Sequence, residues 1–133
     1  MQTVIENIEI AAEERVLRAL VANLEDEHTL DGARGMNCAA AEPLRERLND
    51  ERNAIEGMIM GMEPRTAAMG TVKAMISVAR TDLLVGDVDW EGRAEPPELT
   101  ALLRPIFRAA EACLTGEDAH RVRVVSSWYV DAP

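Results

Sequence analysis

Apolar positions along this chain recur at helical rather than strand spacing, most regularly on either side of Pro64. Upstream they fall at Leu44, Leu48, Ile55, Met58, Ile59 and Met62, and downstream at Met69, Val72, Ile76, Ala79 and Leu83. Steps of three and four residues place such side chains on one face of a helix. Pro64 has no amide hydrogen to donate and disfavours helical geometry at Glu63, so the break belongs there and the segment reads as a helical hairpin. An earlier helix is predicted from about Ile5 to His28. There Ile10, Leu17, Leu20, Val21 and Leu24 form a stripe against a face rich in carboxylates and arginines.

Turn chemistry sets the remaining boundaries. Asp31-Gly32 and Gly35 end the first helix in a loop. Asn37 offers a cap and Pro43 suits a first turn, so the second helix starts between Cys38 and Glu42 and runs to about Met62. Thr66 caps a third helix that continues to about Leu84. Gly86 to Gly92 form a polar loop, extended to Pro96-Pro97, and a fourth helix spans about Pro97 to Leu114, bent at Pro105 unless it starts later. Beyond Thr115-Gly116 the segment Val122 to Val130 is β-branched and aromatic, which predicts a strand or an extended docked tail. The expected fold is all-α: one domain over residues 1–133, a four-helix bundle-like body with its hairpin broken at Pro64 and an extended docked tail over 122–133.

Composition narrows the function. Hydrophobic residues make up 47% of 133, enough for a core without metal or disulfide support. The aromatics are Trp90, Phe107, Trp128 and Tyr129, so Ala, Leu, Val, Ile and Met must supply that core. A net charge of −10 repels a nucleic-acid backbone or an anionic membrane, and no apolar run reaches the ~20 residues of a membrane span. Thirteen arginines against the single Lys73, with abundant alanine, resemble the codon usage of a GC-rich bacterium. Cys38 and Cys113 lie far apart and read as two buried thiols in a reducing cytosol. Met1 to Glu6 has neither a basic region nor a sustained apolar stretch, so a cytoplasmic protein is expected.

Candidate chemistry is sparse. Two Glu-x-x-His spacings, Glu25 with His28 and Glu117 with His120, match the pairs that di-metal carboxylate bundles use, and Glu51, Glu56, Glu63 and Glu111 supply further carboxylates. Yet Glu25 and His28 sit at a helix end, and Thr115 with Asp118 resembles a cap, so solvated helix termini are the favoured reading. Met58, Met60, Met62, Met69 and Met75 contain soft thioether donors, but the helix puts Met60 nearly opposite Met58 and Met62, which favours a core role. Cys38 would need His28 or His120 as a base, and neither Ser126 nor Ser127 has a nucleophile-elbow setting. Gly57, Gly61 and Gly70 read as close-packing points between helices. No cofactor is indicated.

The segments Leu48-Asn49-Asp50-Glu51-Arg52-Asn53-Ala54-Ile55-Glu56 and Glu63-Pro64-Arg65-Thr66-Ala67-Ala68-Met69-Gly70-Thr71-Val72-Lys73 resemble a group of short, Ala-rich helical bacterial proteins of uncharacterised function, over roughly the middle third of the chain. That resemblance implies helices and carries over no site residues. The expected function is therefore non-enzymatic: a small acidic helical protein acting through protein–protein contacts in regulation or assembly. It is expected as a homodimer, with Trp128 and Tyr129 either folded back over a helical groove of the chain or anchoring an interface to a second subunit or another protein. A carboxylate–histidine metal bundle is the alternative, and an acidic decoy for a basic protein surface is a third reading.

Overall fold

Thr3 and Glu6 start the first helix by a reciprocal pair of hydrogen bonds. The Glu6 amide donates to the Thr3 hydroxyl and the Thr3 amide to the Glu6 carboxylate, both at 3.1 Å, a capping box that satisfies two otherwise unpaired donors. The computed structural model describes residues 3–32, 38–86 and 98–131. It contains α1 (Val4–Gly32), α2 (Cys38–Gly61), α3 (Ala67–Gly86), α4 (Leu99–Ala112) and α5 (Gly116–Tyr129), and no strand among the described residues. The expected cap at Asn37, the loop over 87–97 and Trp90 lie outside the described residues.

The all-α expectation holds, with one correction. Residues 122–129 are not an extended tail but most of a fifth helix. A strand with no neighbouring edge would leave its backbone groups unpaired, whereas a helix satisfies them internally. Helical winding also gathers Val122, Val125 and Ser126 onto one fully buried face, a grouping that strand alternation would split. Gly116, at φ +62°, turns the chain into α5. The expected Thr115 side-chain cap is not made, and Asp118 instead lies 3.8 Å from Arg121.

Helix α5 packs against both α1 and α3, while α1 runs along α2 and α3 along α4. The core between them is aliphatic: Leu17, Leu20 and Leu24 of α1, Ile55 and Ile59 of α2, Val72, Met75 and Ile76 of α3, Val122 and Val125 of α5, with Phe107 from α4. Each such side chain contributes about 1.5–3 kcal/mol when taken from water. The hairpin breaks over 62–66, as Pro64 requires. Its glycines are not crossing points, however. A methyl group added at Gly57 or Gly61 would meet nothing within 4 Å, and at Gly70 only the Pro64 ring at 3.8 Å. Helix α2 lies mainly on α1 rather than α3, so the hairpin arms have no need of small residues.

Two carboxylates from distant helices fasten the bundle at helix starts. Glu13 of α1, 2% exposed, accepts hydrogen bonds from the Arg65 amide at 2.7 Å, the Thr66 amide at 3.2 Å and the Thr66 hydroxyl at 3.0 Å. Thr66 in turn accepts from the Met69 amide at 3.2 Å, the cap its sequence position predicts. Asp82 of α3 does the same for α4, accepting from the Leu99 amide at 2.7 Å, the Thr100 amide at 2.9 Å and the Thr100 hydroxyl. Partial burial pushes the Asp82 carboxyl upward, but the hydrogen bonds from Thr100 and Leu99 outweigh it and hold the group below its ordinary value. Both carboxylates also meet the positive end of a helix dipole.

Candidate functional site

The four residues of the two Glu-x-x-His pairs do not converge. Glu25 of α1 and His120 of α5 approach across the bundle surface at 4.0 Å, both more than half exposed. Glu117 is drawn off to Arg121 at 2.6 Å, and His28 points outward on the last turns of α1. No group of three or more His, Cys, Asp or Glu side chains capable of holding a metal forms among the described residues. The methionines separate as well. Met69 and Met75 fill the core, Met60 packs against it with the Ser77 hydroxyl 3.6 Å from its sulfur, and Met58 is exposed. Cys113 is a free, exposed thiol rather than a buried one, because it follows the last turn of α4 on the outward side.

Trp128 and Tyr129 come to rest against α2. The Arg52 guanidinium lies 4.3 Å from the centre of the Trp128 ring, and the Tyr129 hydroxyl donates to Glu56, which also pairs with Arg80 at 3.1 Å. Burial, reinforced by the Glu56 carboxylate, pushes the Tyr129 phenol above its ordinary value, so it stays protonated and keeps donating. Both rings border a cavity of about 430 Å³ whose wall includes Asn53, Arg80, Leu83 and Arg104. Of the two expected placements, folding back over a helical groove is the one observed: both residues are half-buried within their own chain.

Behind this groove lies a polar core that spacing does not reveal. Asn23 is fully buried; its amide donates to the Leu48 carbonyl at 2.9 Å and its oxygen accepts from Arg52 Nε at 3.0 Å. Glu27 faces the other side of the Arg52 guanidinium at 3.7 Å, a charge pair too long for a hydrogen bond. Arg45 lies 3.7 Å from Glu27 and 3.0 Å from Asp31, continuing the network to the surface. On the sequence these residues sit among many surface charges. Only the crossing of α1 and α2 selects which of them are enclosed.

Large apolar side chains also remain uncovered. On α1 they are Val4, Ile5 and Ile8, ahead of the first buried residue, Glu13. On α2 they are Leu44 and Met58, and on α3 and α4 they include Leu83, Leu84, Leu102 and Ile106. Periodicity alone places Leu83 on a stripe with the core residues Met69, Val72 and Ile76, because spacing does not say which sectors of a helix a neighbour covers.

Fold and surface together define an acidic all-α protein with an aliphatic core, carboxylate-capped helix starts and exposed apolar side chains on α1, α3 and α4. No family model, no curated protein and no solved structure matches the chain. No helix among the described residues is long and apolar enough to cross a membrane.

Proposed function

We propose that this chain is a non-enzymatic, cytoplasmic interaction protein that works as a homodimer in regulation or assembly. The observation that carries the proposal is the outer surface of α4, where Leu102 and Ile106 are 59% and 62% exposed on a helix that already buries Phe107 on its inner side. Single exposed apolar residues are ordinary, but two on adjacent turns of one helix form an apolar surface of the kind that partners cover. Half-burial of Trp128 and Tyr129 at the groove leaves their outer edges as a second, smaller contact area for another protein.

Light scattering across micromolar concentrations tests the proposal. A mass twice the 14.6 kDa of one chain supports it. A mass that stays at one chain up to several hundred micromolar removes the homodimer, and the interaction reading then rests on a partner recovered with the protein from cells.

A further inference from the structure

We infer that α4 is the seam of a symmetric dimer in which two copies of this helix pack antiparallel through Leu102, Ile106, Ala109 and Cys113. The inference rests on the homodimer proposed above and supplies its surface and geometry. Helix α4 turns Thr100, Leu103, Phe107 and Ala110 toward its own bundle. The four seam residues follow one another at steps of four, three and four, the spacing of a two-helix seam, and all four are exposed. Ala101, Pro105 and Ala112 are exposed beside them.

Charge favours a second copy here. From Leu99 to Ala110 the helix has no carboxylate, and its arginines are occupied: Arg104 donates to the Val130 carbonyl at 3.0 Å, and Arg108 to Glu111 at 2.8 Å and to Asp131. In a chain of net charge −10, this stripe lets two copies meet without setting carboxylate against carboxylate or stripping water from an ionised group.

Side-chain size selects the direction. The stripe is large in its first half, Leu102 and Ile106, and small in its second, Ala109 and Cys113. Antiparallel packing sets Ile106 against Ala109 of the second copy and Leu102 against Cys113, each contact occurring twice as two-fold symmetry demands. Parallel packing would set large on large and then small on small, wedging one end and leaving voids at the other. A stripe that complements its own reversed copy points to self-association rather than to an unrelated helix. Fourteen residues of α4 span about 21 Å.

The test uses cysteine placement in the full chain with Cys38→Ser. In the antiparallel seam the two Cys113 residues lie about 16 Å apart along the axis, so Cys113 alone does not cross-link. Adding Leu102→Cys brings each new thiol beside Cys113 of the other copy. With oxidised glutathione as acceptor, two thiols give up two protons and two electrons to form each interchain bond, and the glutathione disulfide is reduced to two thiols. A covalent dimer on a non-reducing gel, dependent on Leu102→Cys, is the expected result. In the wild-type background, Ile106→Glu should raise the dimer dissociation constant by at least about 100-fold while leaving helix content unchanged, since the position is exposed in the single chain. Efficient linkage through Cys113 alone overturns the antiparallel seam. A dimer indifferent to Ile106→Glu overturns the surface but leaves self-association standing. A monomeric wild-type chain overturns both, and a monomer whose melting temperature falls with Ile106→Glu assigns the stripe to a cover from its own chain.

Discussion

Glu13→Ala should be among the most damaging single changes to this bundle, and its size can be worked from the structure. The carboxylate holds three donors at the elbow between α2 and α3: the Arg65 and Thr66 amides and the Thr66 hydroxyl. Hydrogen bonds to a charged group contribute about 1.5–3 kcal/mol each, so a bare sum reaches roughly 5–9 kcal/mol. Two effects reduce it. Arg65 is exposed, so water replaces its bond, and removing the carboxylate also removes that group's own desolvation cost. The Thr66 cap on Met69 survives, which retains about 1 kcal/mol at the α3 start. A net loss of about 3 kcal/mol remains, or roughly a 10 °C fall in melting temperature for a domain of this size. Glu13→Gln keeps one acceptor oxygen but points an amide at the remaining donors, and should lose about half as much. Glu9→Ala is the control: its pair with Arg65 at 2.8 Å joins two side chains that are 40% and 43% exposed and should contribute less than about 0.5 kcal/mol. Urea and thermal melts of the three variants decide the matter. If Glu13→Ala melts within about 2 °C of wild type, the elbow is held by the hairpin alone and the reasoning fails.

Further expectations concern the rest of the bundle. Arg52→Met should cost about 2–4 kcal/mol because it strands Glu27 and Asn23 in the interior, while Glu27→Leu combined with Arg52→Met should recover most of it; equal losses in single and double variants would show that Glu27 is not the coupled group. Gly57→Ala lies mid-helix with open space around it and should stabilise by about 0.5–1 kcal/mol; a lower urea midpoint would mean that something covers this face. Asp82 has a depressed folded-state value, so its stabilisation is present above its ordinary value of 3.8 and is lost as pH falls through the folded one. Asp82→Asn should therefore be less stable than wild type at pH 7 and shed less stability below pH 4. Melts showing identical acid slopes for the two proteins would refute this.

Periodicity made the helical hairpin legible because Pro64 interrupts backbone donation whatever surrounds it, and Met69, Val72 and Ile76 recur at a spacing that only a helix can bury. The same arithmetic misassigned Leu83 and Met58 to the inner face, since spacing orders residues around a helix but does not say which sectors a neighbour will cover. It also misjudged residues 122–129. Their β-branched composition expresses a preference worth tenths of a kcal/mol per residue, and enclosure between α1 and α3 outweighs it.

What the chain's own order of residues determines here is local. The capping box at Thr3, the break at Pro64, the cap at Thr66 and the all-helical class each follow from interactions within a few residues. What the tertiary structure alone decides is which polar groups become internal partners. Glu13 reaches Thr66 across more than fifty positions, Asp82 reaches Thr100, Asn23 reaches Leu48, and Tyr129 reaches Glu56. One carboxylate among twenty-four looks like any other until a crossing helix removes its water and offers amide hydrogens in exchange. The outer stripe of α4 is decided the same way: its spacing is present in the sequence, but its exposure exists only once Phe107 has committed the other face to the core.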